Sequence, residues 1–318
     1  MTDGNVRIVI CEFMDDAAVA SLAARFDTTY DATLVDRPAD LLPQLANATA
    51  IIVRNKTQVD SRLLGAAPLL RVVGRLGVGL DNIDLPGCAA RGIEVIPATG
   101  ANALAVAEYV IGTAMVLLRG AYFSTGAVTA GKWPRAALSD GCEMAGKTLG
   151  IVGFGGIGRL TGKLARALGM TTIGFDAQLG NDSTIWRDEQ THSQPSLDAL
   201  LAKADVVTLH VPLTPQTRNM VDAERLTRFK PGAILINTAR GGVVDEAALA
   251  AALRSGKLGG AALDVFDREP LPAGSPLVEC PNLILTPHIA GVTRESNMRV
   301  STLIADKVAA ALLETGEG

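Results

Sequence analysis

Thr148 to Asp176 reads TLGIVGFGGIGRLTGKLARALGMTTIGFD, and this stretch decides the fold. An apolar strand, Leu149 to Val152, runs into Gly153-Phe154-Gly155-Gly156-Ile157-Gly158. An amphipathic helix follows to Leu168, and a second apolar strand, Thr172 to Phe175, ends on Asp176. Each part has a physical task in holding a dinucleotide. Gly153 lets the chain turn sharply off the strand, Gly155 admits a pyrophosphate close to the backbone, and Gly158 lets the helix pack on the sheet. The helix N-terminus offers free N–H groups and a positive dipole end to the phosphates. Asp176 stands where a carboxylate accepts from both ribose hydroxyls and repels a 2′-phosphate, which favours NAD over NADP. Three glycines alone make an ordinary turn; strand, glycines, helix, strand and terminal acid in register specify a cofactor.

Outward from this unit, apolar runs alternate with helical segments, which implies parallel sheets covered on both faces, because parallel strands need crossovers. Upstream the strands are Val6 to Ile10, Ala50 to Arg54, Leu70 to Gly74 and Ile93 to Ile96, enough for a small α/β domain. Pro97 to Asn102 breaks the pattern before a long helix, Ala103 to Arg119. Downstream runs at Val206–Leu209, Ala233–Ile236, Ala261–Val265 and Leu283–Leu285 complete a six-stranded doubly wound sheet. Polar Gly180 to Pro195 reads as a surface loop. A closing helix from Thr293 to about Glu314 is expected to return to the first domain, giving two crossings and a hinge. The expected domains are 1–98 with 292–318, and 99–291.

At 318 residues the chain suits two domains, and 48% apolar content supplies their cores. A net charge of −4 argues against nucleic-acid and anionic-membrane partners. Met1 to Asn5 is too short and polar for a signal peptide, and Leu104 to Leu118, interrupted by Glu108, is too short for a membrane span. Cys11, Cys88, Cys142 and Cys280 are scattered, so reduced core thiols of a cytoplasmic protein are expected. His192, His210 and His288 have no metal-ligand spacing, and no metal is expected.

Ligands of such sheets lie at the carboxyl ends of the strands. Three of those loops carry Arg240, Glu269 and His288. Reducing a 2-keto acid requires a cation to hold the carboxylate and polarise the carbonyl, and an acid to protonate the oxygen as hydride arrives. Arg240 offers a planar bidentate fork for the first task. An imidazole titrates near neutral pH, which suits His288 to the second. Glu269 would accept from the far imidazole nitrogen and fix its tautomer.

With these residues in place, the chain resembles the D-2-hydroxyacid dehydrogenase family over almost its full length. The matching segments are RLGVGLDNID (75–84), NALAVAE (102–108), Gly153 to Gly158, NTARGGVVDE (237–246), ALDVFDREP (262–270) and TPHIAG (286–291). The resemblance implies an NAD-binding Rossmann domain with a smaller flavodoxin-like α/β substrate domain. It implies Arg240, Glu269 and His288 as the catalytic trio and Asp264 near the nicotinamide amide. His210, Val211, Pro212, Thr217, Thr238, Ala239, Ala290 and Gly291 are the further cofactor contacts expected beside the glycine loop. The backbone of Val78 and Gly79 would bind the substrate carboxylate, with Gly77 and Asn102 as further substrate-binding residues. A homodimer formed through the cofactor domains and the helix after Pro97 is also implied. Ala105 replaces a frequent serine and Tyr109 a frequent histidine; neither is one of the trio, and both bear on packing.

Arg54, Arg75 and Arg135 stand at positions similar to those where the phosphoglycerate dehydrogenase branch gathers arginines around a second anionic group. A substrate with a carboxylate at one end and a phosphate or sulfonate at the other is therefore expected, 3-phosphoglycerate or 3-sulfolactate among them. Glyoxylate- or hydroxypyruvate-type acids stay open. Glu269 in place of a glutamine argues against a formate dehydrogenase, and Val78 in place of a lysine against a phosphite dehydrogenase. The rival from another class is an NAD-sensing, non-catalytic binding protein like the corepressors of this fold. Such a regulator is expected to carry tails beyond the fold, whereas this chain starts close to its first strand and ends just after its closing helix.

Overall fold

The computed structural model describes residues 6–314; the polar start Met1–Asn5 and the last four residues lie outside them. Two compact units divide the chain, Met1–Asn102 with Val292–Gly318 and Ala103–Gly291, so residues 99–102 stay with the first unit.

The first unit alternates β1 (Arg7–Ile10), α1 (Asp16–Ala23), β2 (Asp27–Tyr30), α2 (Pro38–Gln44), β3 (Ala50–Val53), α3 (Ser61–Ala66), β4 (Val72–Arg75), α4 (Leu85–Ala90) and β5 (Glu94–Pro97). In the second unit α5 (Ala103–Arg119) and α6 (Thr125–Thr129) precede β6 (Thr148–Val152), α7 (Gly156–Ala167), β7 (Thr171–Phe175), α8 (Thr184–Asp188) and β8 (His192–Ser193). It continues with α9 (Leu197–Leu201), β9 (Val206–Leu209), α10 (Ala223–Leu226), β10 (Ala233–Asn237), α11 (Glu246–Arg254), β11 (Leu258–Leu263) and β12 (Leu283–Leu285). The closing helix, α12 (Arg294–Glu314), belongs to the first unit.

The first sheet has the order β2-β1-β3-β4-β5 with every pairing parallel, the flavodoxin-like arrangement. Its apolar runs are continuous because both faces are covered. Ile8, Ile10 and Ile52 meet Leu22 of α1 and Ile304 and Val308 of α12 on one side. Val9, Ile51 and Val53 meet Leu41, Leu63 and Leu64 on the other. A Cβ on Gly74 would stand 2.8 Å from Val308, so α12 lies close on β4. The sequence pattern predicts four upstream strands and the sheet has five. The extra one, β2, reads DTTY and is exposed or half-buried throughout, so an edge position leaves it no buried face to mark it.

The second sheet has the order β12-β11-β10-β9-β6-β7-β8, all parallel, with seven strands in place of the six predicted. Val110, Ile111, Ala114 and Leu117 of α5 pack with Ile151, Val206, Ile234 and Ile236. Each large apolar side chain buried there contributes about 1.5–3 kcal/mol. The stretch Leu104–Leu118 is thus a core helix, and among the described residues no single helix is long and apolar enough to cross a membrane.

Two further expectations are corrected. Gly180–Pro195 is not simply a surface loop: it contains α8 and β8, and Trp186 is buried with its ring stacked 4.4 Å from Phe154. The cysteines are all free, but only Cys11 and Cys88 are buried; Cys142 is exposed and Cys280 half-buried.

Candidate active site

The glycine loop has the geometry its sequence demands. Gly153 has φ +89°, and a Cβ there would stand 2.5 Å from the His210 carbonyl oxygen and 3.0 Å from Val211. That approach sets His210 and Val211 against the loop. A Cβ on Gly158 would meet the Gly153 carbonyl oxygen at 2.3 Å, so α7 starts hard against the turn. Gly155 and Gly156, by contrast, face open space. Gly155 is the N-cap of α7 and supplies no side-chain cap, which leaves the first N–H groups for an anion. Asp176 ties the loop to β7: its Oδ2 accepts from Phe154 N at 2.7 Å and its Oδ1 from Gln178 N at 2.8 Å. Each carboxylate oxygen retains acceptor capacity for a ribose hydroxyl.

The neighbouring strand ends contribute the rest of this face. Burial lowers the His210 pKa to about 4, so the imidazole is neutral; its Nε2 lies 3.1 Å from Thr208 Oγ1. Thr217 accepts from Thr214 N at 2.7 Å and donates to the Pro212 carbonyl at 2.6 Å, closing the turn between them. Ala239 is buried, and Thr238 Oγ1 is a buried hydroxyl without a partner among the described residues. An open glycine cradle, uncapped helix N–H groups and an unpartnered hydroxyl on one strand-end face fit a dinucleotide. Among the described residues no His, Cys, Asp and Glu are grouped to hold a metal.

Arg240, Glu269 and His288 follow β10, β11 and β12, which are adjacent in the sheet. Glu269 Oε2 stands 2.8 Å from His288 Nδ1 while Oε1 accepts from Phe266 N at 3.1 Å. The carboxylate is thereby fixed on one side and engages Nδ1, which leaves the other ring nitrogen, Nε2, outside this contact. Asn237 links the Arg240 loop to itself, accepting from Ala239 N and donating to the Arg240 carbonyl, each at 3.0 Å. Gly241 then presses on the next loop, since a Cβ there would stand 1.7 Å from the Phe266 carbonyl oxygen.

His288 itself has φ +56°, a left-handed conformation that costs a residue with a Cβ about 1–2 kcal/mol. Asp264 offsets that cost. Its backbone carbonyl accepts from His288 N at 2.8 Å, and its buried carboxylate accepts from Ile289 N and Ala290 N, each at 2.8 Å. Asp264 therefore builds the turn that presents His288. Tyr109, expected to affect packing alone, contacts Thr286 in this turn through its hydroxyl at 2.6 Å.

In the first unit Arg54 and Arg75 leave adjacent strands, β3 and β4, at their carboxyl ends. Glu12, which sequence reasoning misses, is 4% exposed and brackets the Arg54 loop. Its carboxylate accepts from Arg54 N at 2.8 Å, Thr57 N at 3.0 Å and Lys56 N at 3.3 Å. One signal does point to it: Glu12 lies just past β1, at the same end of the sheet as the other functional loops. Arg54 donates to Asn297 Oδ1 at 2.9 Å and lies over the Phe13 ring. Arg75 curls over Gly77, with its guanidinium where a side chain at that glycine would stand. Val78 N and Gly79 N make no hydrogen bond among the described residues. Asn102 Oδ1, just ahead of α5, is buried without a partner among them. Arg135 is exposed on the segment after α6 in the second unit.

Residues 111–290 match the family model described as the D-isomer specific 2-hydroxyacid dehydrogenase NAD binding domain. The chain belongs to the D-2-hydroxyacid dehydrogenase family. Among these dehydrogenases it is 54% identical to an (S)-sulfolactate dehydrogenase of Chromohalobacter salexigens, over 96% of this chain and 98% of that one. It is 38% identical to a D-3-phosphoglycerate dehydrogenase of Archaeoglobus fulgidus over 85% of this chain, which spans about half (50%) of that longer protein. Among solved structures, the TT0316 protein of Thermus thermophilus superposes with a TM-score of 0.87 at 34% identity, covering 97% of both chains. The family is one of NAD-dependent oxidoreductases acting on CH–OH groups of small hydroxy acids, and the chain is an enzyme of that kind with NAD as its cofactor.

Proposed function

We propose that the chain interconverts a 2-hydroxy acid and its 2-keto acid in which a second anionic group, a sulfonate, lies beyond the reacting carbon, with 3-sulfolactate as the expected substrate. The observation that carries the sulfonate is the bracketed Arg54, fixed by Glu12 and Asn297 at the strand end next to Arg75. The 54% identity to an (S)-sulfolactate dehydrogenase over nearly both full lengths favours a sulfonate over a phosphate.

In this reading the unit of residues 1–102 and 292–318 is the substrate domain. Val78 N and Gly79 N receive the carboxylate, and Arg54 with Arg75 receives the distal anion, with Asn102 and Arg135 as further contacts. Bound NAD(H) supplies or accepts the hydride. Arg240 holds the carboxylate and polarises the carbonyl bond. His288 Nε2 gives its proton to the carbonyl oxygen during reduction and takes it back during oxidation. Glu269 holds Nδ1 and stabilises the imidazolium. The trio is therefore a proton-transfer and charge-holding device.

A homodimer is proposed as well. Tyr122 (65% exposed), just beyond α5, and Trp133 (79%), just beyond α6, are large apolar side chains open to solvent, which a second copy of this chain would cover. A cytoplasmic location fits the four free cysteines. The acidic charge balance favours neither nucleic acid nor anionic membrane as partner.

A panel of keto acids (sulfopyruvate, phosphohydroxypyruvate, hydroxypyruvate, glyoxylate, pyruvate) assayed by NADH oxidation tests the reading. Sulfopyruvate should give the highest kcat/KM. Arg54→Ala should raise its KM by on the order of tenfold or more while changing that for pyruvate little, as loss of a charge-assisted hydrogen bond implies. Equal effects on the two acids would remove Arg54 from the distal-anion site.

A further inference from the structure

The turn that carries His288 is held from outside the trio by a directional chain of hydrogen bonds. Thr286 Oγ1 donates to Asp264 Oδ1 at 2.6 Å. A hydroxyl has one hydrogen, so the 2.6 Å contact between Tyr109 Oη and Thr286 Oγ1 has the phenol as donor. Asp264 Oδ1 also accepts from Ile289 N at 2.8 Å and its Oδ2 from Ala290 N at 2.8 Å. The carboxylate at the end of the chain thus grips the two residues that follow His288, and the Asp264 carbonyl grips His288 N.

Tyr109 comes from the middle of α5, remote in sequence from the turn, on a helix whose next turns are locked into the core by Val110, Ile111 and Ala114. It is a fixed donor on a rigid element. Burial, and the Asp264 charge after it, raise the phenol pKa, so it keeps its proton. Chains of this kind strengthen each member by polarisation, and in a half-buried setting the loss of one donor is felt by the next acceptor.

We propose that Tyr109, acting through Thr286 and Asp264, is a positioning residue for His288, holding the left-handed turn so that the imidazole keeps its register with Glu269. This rests on the reading of His288 as the proton-transferring group. The phenol does not touch substrate or the reacting atoms; its role is the angle at which the imidazole is presented. A packing role would be served equally by phenylalanine, which keeps the ring and removes only the donor.

Steady-state reduction of sulfopyruvate and fluorescence titration of NADH, both on the full chain, test the proposal. Tyr109→Phe should lower kcat by about three- to tenfold, the range expected from one hydrogen bond, with the NADH dissociation constant changed by less than about twofold. Thr286→Val should lower kcat at least as far, and Thr286→Ser, which keeps the hydroxyl, should restore it. The double variant should lose no more than Thr286→Val alone, because both act on one chain. Glu269→Gln serves as the reference that disturbs the imidazole directly. Turnover lost in Glu269→Gln but kept in Tyr109→Phe overturns the relay alone; turnover kept in both overturns the reading of the trio with it. A loss in Tyr109→Phe matched by equal losses of NADH affinity and thermal stability, with no rescue in Thr286→Ser, also overturns it.

Discussion

Replacing Gly241 by alanine adds one methyl group and should remove most of the activity without emptying the cofactor site. The added carbon would stand 1.7 Å from the Phe266 carbonyl oxygen, 2.0 Å from its carbon and 2.7 Å from Asp267 N. Ordinary contact begins at 3.4 Å, twice the first of these distances, and all three obstacles are backbone. No rotamer change relieves the clash, so the loop of Arg240 and the loop of Glu269 must part by more than an ångström. Overpacking of this kind costs about 1–3 kcal/mol of stability. The kinetic effect is larger, because a misplacement of ~1 Å in a reacting constellation costs about a hundredfold in rate. Both displaced segments bear on the trio: Arg240 is the preceding residue, and Phe266 N is a donor to Glu269. The glycine loop and Asp176 lie on other strands and should stay in place. Reduction of a 2-keto acid, followed by loss of NADH absorbance, should show kcat down by about a hundredfold with NADH affinity within about threefold of the parent. A cooperatively folding Gly241→Ala enzyme with kcat near the parent value would refute the claim that this contact sets the spacing of Arg240 and Glu269.

Gly155→Ala meets open space, so its melting temperature should be unchanged, while NADH binding should weaken by on the order of tenfold because the methyl intrudes where the pyrophosphate approaches; isothermal titration checks this. Asp176→Ala should narrow the preference for NADH over NADPH, read as the ratio of the two kcat/KM values, by removing the charge that repels a 2′-phosphate. His210 is held neutral, with its pKa lowered from 6.5 to about 4 by burial. The unfolded chain therefore binds more protons between those values, so stability is full above 6.5 and is lost as pH falls through that window. Denaturant unfolding at pH 7 and pH 5 should differ by up to about 2 kcal/mol from this group, less for the part of the ring that remains wetted, and His210→Asn should flatten the difference.

Local chemistry is legible in the sequence and long-range fit is not. The helix Ala103–Arg119, the glycine turn and the three strand-end loops follow from periodicity and from residues whose backbone or side chain admits few alternatives. The edge strands β2 and β8 escape because a half-exposed DTTY and a two-residue His192–Ser193 carry no buried apolar pattern. Trp186 inside a polar segment is hidden for a related reason: its burial depends on Phe154, a partner far along the chain. The same holds at the site. Arg240, Glu269 and His288 are recognisable by type and by motif. Glu12 bracketing Arg54, Gly241 pressed on Phe266, and Tyr109 reaching Thr286 are contacts between separate segments, and no spacing in the sequence announces them.

The proton-transfer role of His288 is tested most directly by a single-turnover reaction of NADH-loaded His288→Asn with sulfopyruvate. NADH binding should match that of the parent, and the hydride-transfer rate should fall by about 10²–10⁴-fold, the span that a positioned acid contributes. A variant that oxidises its bound NADH at the parental rate would contradict that role.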